Sequence, residues 1–208
     1  MKFLSFSLLA CLVLASTASR VAAAGDFLLR DSGERSVVVS IPDQKLVVLH
    51  DGLRIGQFPI STSKFGLGDS PRSYATPLGM LEVAAKVGEN APAGTVFKGR
   101  RPTGEILRPN AKGRDPIVTR ILCLRGLESS NSNAYGRGIY IHGTPVERQI
   151  GRPASFGCIR MKSKDVVRVF EAVPVGTKIE ISNQRLNQAV ALHAMKHTVR
   201  RATRIASN

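Results

Sequence analysis

Cys158 stands directly after Gly157 in the stretch PASFGCIRM, and His142 stands upstream in IYIHGTP. A thiol and an imidazole together suit nucleophilic acyl transfer. The thiolate attacks a carbonyl, and the imidazole takes the thiol proton and later returns it to the leaving group. A free cysteine titrates near pH ~8.5, so it needs a partner to become a nucleophile at neutral pH. His142 is the best partner by position. His50 abuts the Asp51-Gly52 turn, and His193 and His197 lie near the C-terminus. Cys158 as a small, buried apolar residue is the alternative, and residue types alone leave both readings open.

The residues around the pair have roles to offer. Gly157 permits a tight turn, which can aim its own N–H and that of Cys158 at one point as an oxyanion hole. Ser155 can fix such a turn by local hydrogen bonding. Arg160 has three candidate roles: favouring the thiolate, holding a substrate carboxylate, or bonding to loop carbonyls. The connector GTPVERQIGRPAS contains Gly143, Pro145, Gly151 and Pro153. It is suited to reversing direction and returning Cys158 towards His142.

Strands must position these groups. SVVVSI, KLVVLH and LRIGQFPIS are β-branched or alternating, and Asp51-Gly52 between the last two suits a two-residue hairpin turn. GMLEVAAKV, PIVTRILCL, IYIHG and TKIEIS read as further strands. Residues 88–116 are rich in glycine, proline and basic residues and read as a long irregular excursion, with one short strand near Val96 and Phe97. After the cysteine turn, Ser163 is the expected N-cap of a helix. Val166, Phe170 and Val173 form its apolar face, and Pro174 ends it. Residues 184–208 are basic, contain no acid and read as a solvated helical tail. His193 and His197 are spaced for two metal ligands, but HAMKH lacks the Glu of the zinc protease motif and no third ligand is evident, so no metal is expected.

Residues 1–24 have the pattern of an export signal: Lys2, an apolar run from Phe3 to Ala15, and Ala22 and Ala24 in A-x-A spacing. That run is shorter than the ~20 residues of a membrane-spanning helix. Removing residues 1–24 takes away Lys2, Arg20 and no acid, lowering the formal charge from +15 to +13. Such a charge favours polyanions. For an exported chain these are anionic envelope polymers, so nucleic acid is not an expected partner. Cys123 and Cys158 then remain. Cys123 sits in an apolar strand-like run that suits a buried free thiol, and a domain this long does not need a disulfide.

The two stretches together, IYIHGTP and IGRPASFGCIRM, resemble the signature of the L,D-transpeptidase (YkuD-type) catalytic domain. The matching residues are His142, Gly143, Thr144, Ser155, Gly157, Cys158, Ile159 and Arg160. The resemblance extends through QKLVVLHDGLRIGQFPIST, ATPLGMLEV and KSKDVVRVFEAVPVGTKIEI, and so covers residues 36–182. It implies a mainly β fold with sandwich-like sheets, a few short helices and no cofactor. It further implies Cys158 as nucleophile, His142 as base, and Gly157, Ser155, Arg160, Gly143 and Thr144 at the oxyanion and substrate positions. The implied substrate is the stem peptide of peptidoglycan, with an amine or water as acyl acceptor. A non-catalytic wall-binding domain is the alternative. One position departs: Phe156 stands where the family usually has His, and Phe cannot donate a hydrogen bond.

Overall fold

The computed structural model describes residues 33–206, and the expected export signal lies outside the described residues. The fold opens with an antiparallel meander of β1 (Arg35–Ser40), β2 (Lys45–His50) and β3 (Leu53–Pro59). Asp51 and Gly52 both have positive φ, 50° and 80°, as a type I′ turn requires. There follow β4 (Gly79–Val87), β5 (Thr95–Lys98), β6 (Arg101–Ile106), β7 (Ile117–Gly126), β8 (Tyr140–Gly143) and β9 (Ile159–Met161). Helix α1 (Ser163–Ala172), β10 (Lys178–Ser182) and helix α2 (Leu186–Ala206) complete it.

The protein is mainly β. Its strands join in the order β3-β2-β1-β10-β4-β7-β5-β6, with β8 paired to β7 and β9 to β8. The valine run of β1 is apolar on both faces because both are covered. Val37 and Val39 enter the main core, while Val38 meets Leu186 and Ala189 of α2. The main core also takes Leu46, Leu81, Leu122, Ile141, Ile159 and Met161 from the sheet and Val166, Val169 and Phe170 from α1. Among the described residues no helix is long and apolar enough to cross a membrane.

Three expectations need correction. The 88–116 excursion holds a hairpin, because β5 pairs with both β6 and β7. β6 escapes sequence reading because it is an exposed edge strand containing Pro102 and Gly104, with no apolar alternation. Ser163 is the first residue of α1 rather than its cap. Its N–H is met at 2.8 Å by the Glu147 carboxylate from the preceding loop, which supplies the negative charge that a helix N-terminus favours. The C-terminal helix is not wholly solvated. Leu186, Ala189 and Val190 pack on the sheet, and buried His193 bonds Glu180 at 2.8 Å and Ser36 at 3.0 Å.

Candidate active site

A bulge in β7 sets the position of His142. Val118 pairs with Gly143 and Ile121 pairs with His142, so Thr119 and Arg120 are extra residues on the β7 side. Thr119 has φ 72°, a costly conformation for a β-branched residue. Its hydroxyl holds the bulge, accepting from Gly94 N–H at 2.9 Å and donating to Ser163 Oγ at 2.8 Å. Gly143 lies so close to β7 that an added Cβ would sit 2.6 Å from the Val118 carbonyl oxygen. Only glycine fits there.

β8 and β9 run parallel, with Ile141 opposite Ile159 and His142 opposite Arg160. The isoleucines face the main core, so strand alternation turns His142 and Arg160 to the other face. Cys158 immediately precedes β9, in the bend that leads into it. The resting thiol donates to the Gly138 carbonyl at 3.3 Å, not to the imidazole. His142 Nδ1 lies 2.8 Å from the Gly143 carbonyl. A carbonyl only accepts, so Nδ1 carries the proton and Nε2 holds the lone pair of a base.

Burial favours the neutral form of both groups. Burial pushes the Cys158 thiol up to about 11, although the Tyr140 backbone N–H and the Arg137 and Arg160 guanidiniums favour the thiolate. Burial pulls His142 down to about 4, against the opposing pull of the Gly143 carbonyl and Asp115. These shifts favour a resting thiol and imidazole over a preformed ion pair.

The cysteine turn is bound from within. Ser155 Oγ accepts the Gly157 N–H at 3.2 Å and donates to the Cys158 carbonyl at 2.6 Å. The Gly157 N–H, expected as an oxyanion donor, is thus engaged inside the turn. Gly157 has φ 116°, and a Cβ there would meet Ile139 Cδ1 at 3.2 Å and the Ala75 carbonyl oxygen at 3.3 Å. Thr76 Oγ1 donates to the Gly157 carbonyl at 2.9 Å and ties the turn to the loop before β4. Cys123 and Cys158 are both free thiols.

Asp115 is the residue that sequence reasoning missed. It forms an ion pair with buried Arg160 and accepts from Thr144 Oγ1, joining the ends of β8 and β9. Arg160 also donates to Ser61 Oγ at 3.0 Å and Gln149 Oε1 at 3.2 Å. The carboxylate on Arg160 is therefore the protein's own. The available signal was faint: Asp115 is the sole acid between Glu105 and Glu128 in a basic stretch. Asp115→Ala would leave a buried guanidinium without its counter-charge. The expected cost is about 3 kcal/mol in urea unfolding, with reduced formation of any Cys158 adduct. A loss below about 0.5 kcal/mol would mean that the pair behaves like an exposed one.

The family model and the named relatives point to one family. Residues 34–181 match the family model for the YkuD L,D-transpeptidase catalytic domain. The chain is 28% identical over 165 residues to "Putative L,D-transpeptidase YqjB" of Bacillus subtilis 168, covering 79% of this chain and 80% of that protein. It is 28% identical over 159 residues to "Probable L,D-transpeptidase ErfK/SrfK" of Escherichia coli K12, covering 76% of this chain and 47% of that protein. It therefore spans about half the length of that relative. A solved L,D-transpeptidase from Mycobacterium smegmatis gives a TM-score of 0.47 at 22% identity, covering 72% of this chain and 59% of that one. With its family model matched across both the histidine strand and the cysteine turn, the chain belongs to the YkuD family of L,D-transpeptidase catalytic domains.

Proposed function

We propose that this protein is an exported L,D-transpeptidase acting on peptidoglycan stem peptides, with Cys158 as nucleophile and His142 as base. One observation carries the reading: the turn bearing Cys158 leads into the strand paired with the His142 strand, and the His142 tautomer leaves Nε2 free to accept a proton. Rotation of Cys158 away from the Gly138 carbonyl brings Sγ towards the imidazole. As Sγ attacks the carbonyl at the L-centre of the stem's diamino acid, its proton passes to Nε2. The Cys158 N–H faces the developing oxyanion. Collapse breaks the C–N bond, and His142 returns the proton to the departing D-amino acid. An incoming amine then takes the acyl group from sulfur, and its proton passes through His142 to the departing thiolate, restoring the thiol. Water in that place makes the reaction a carboxypeptidase reaction. The pattern of residues 1–24 supports export, and the excess positive charge suits an anionic wall.

Incubation with isolated sacculi tests this. New directly cross-linked muropeptides, identified by mass spectrometry, are the expected products. Tripeptides without cross-links would replace transfer by hydrolysis, and an unchanged muropeptide profile would sink the enzymatic reading.

A further inference from the structure

Phe156, beside the nucleophile's turn, does not pack into the protein. It is 60% exposed, as are Tyr74 at 57% and Phe65 at 51%. The three rings touch one another, with centroids 5.3 to 5.6 Å apart. Lys64 Nζ lies 4.7 Å from the Phe156 ring and 5.1 Å from the Phe65 ring. Three mutually contacting exposed aromatics form a patch that marks a binding surface more often than scattered apolar residues do.

The patch adjoins the candidate catalytic centre. Phe156 and Tyr74 form part of the wall of a groove of about 620 Å3, which Ile139, Arg137, Ser73 and Asn133 also line. Ile139 and Arg137 flank Gly138, whose carbonyl holds the Cys158 thiol. The groove therefore combines two aromatic side chains with the polar residues Arg72, Ser73 and Asn133, while the Arg137 guanidinium is already bound to Asp69 and three backbone carbonyls. A ligand with an apolar face and a polar rim would match it.

We propose that Phe156, Tyr74 and Phe65 are a platform for a hexosamine ring of the glycan strand that carries the donor stem peptide. This rests on the acyl-transfer reading above. The stem offers methyl groups, carboxylates and a diamino acid, none of which presents a flat C–H face to stack on an aromatic ring. The rings are inclined at 43° to 89° to one another, so a pyranose C–H face would stack on one of them with the others flanking it, and its hydroxyl and acetamido groups would meet the polar residues of the groove. Lys64 and Arg72, the latter also on the groove, add positive charge where stem carboxylates would pass. Phe156 thereby selects glycan-attached stems over free peptides.

Two donors differing only in the sugar test this: a disaccharide-tetrapeptide and the free tetrapeptide. The wild type is expected to prefer the first by about tenfold in kcat/KM, and Phe156→Ala or Tyr74→Ala to bring the ratio towards one. A wild-type ratio of one overturns the proposal, and so does a ratio unchanged in both variants. If the wild type turns over neither donor, the acyl-transfer reading fails on its own account. Titration of peptide-free glycan strands then decides the platform. Binding about tenfold weaker in Phe156→Ala supports it, and equal affinity overturns it. Phe156-dependent dimerisation, or binding to anionic vesicles, without any preference for glycan would assign the patch to a second copy or a lipid surface and also overturn it.

Discussion

Cys158→Ala is expected to abolish covalent capture by a strained β-lactam and to lower transfer from a tetrapeptide donor by about 10^4-fold or more. The β-lactam ring acylates a nucleophilic thiol, so intact mass reads the adduct directly. Cys123→Ala is the internal control. Cys123 is fully buried against Phe97 and Ile121, and burial raises its thiol as well. The adduct should persist in Cys123→Ala, at a stability cost of about 1 kcal/mol. The neutral resting pair adds a second signature. With a thiol near about 11, the thiolate fraction at pH 7 is on the order of 10^-4. Alkylation of Cys158 by a small haloacetamide should therefore be slow at pH 7 and rise about tenfold per pH unit towards pH 11. Turnover should not follow that curve, because His142 generates the thiolate only as the substrate carbonyl arrives. Rapid alkylation at pH 7, flat with pH, would contradict the neutral pair and indicate a standing thiolate–imidazolium couple. A β-lactam adduct on Cys158→Ala would remove Cys158 from the nucleophile's role.

The local parts of this arrangement were readable in the sequence because their causes are local. The meander follows from the apolar, β-branched run in KLVVLH, from the apolar spacing in LRIGQFPIS and from an Asp-Gly turn whose backbone demand is met inside two residues. The apolar face of α1 follows from its spacing, and Pro174 accounts for its end. The parts that escaped depend on partners distant in the chain. β6 is held by its hydrogen bonds to β5, which its Pro- and Gly-containing sequence does not announce. β9 has three residues and exists because it adds in parallel to β8. Glu147 meets the N-terminus of α1 from sixteen residues away in sequence. Asp115 neutralises Arg160 from a separation of 45 residues. For the same reason the aromatic platform could not be read: Phe65, Tyr74 and Phe156 are dispersed in sequence, and only the folded loops bring their rings together. Phe156 was visible as a departure from the family's pattern, but its exposure was not.

Replacing His142 should separate catalysis from stability. His142→Asn keeps a donor near the position of Nδ1, and so the bond to the Gly143 carbonyl, but removes Nε2. Loss of a general base is expected to lower kcat by about 10^3-fold. Stability should move the other way at acid pH. The folded-state value of about 4 lies below the reference value of 6.5. Between these values the unfolded chain binds a proton that the folded protein excludes. The contribution of His142 is therefore complete above pH 6.5 and is lost as pH falls towards 4, by about 3 kcal/mol in total. His142→Asn has no such titration. Urea unfolding at pH 7.5 and pH 4.5 should then show the wild type losing about 2 to 3 kcal/mol more than the variant. All other groups titrate alike in both proteins and cancel in that difference. Equal losses would show that the imidazole protonates without penalty in the fold. The buried strand end would then not be the desolvated site that keeps His142 a neutral base, and the acid limb of turnover would have to lie near pH 6.5 instead of well below it.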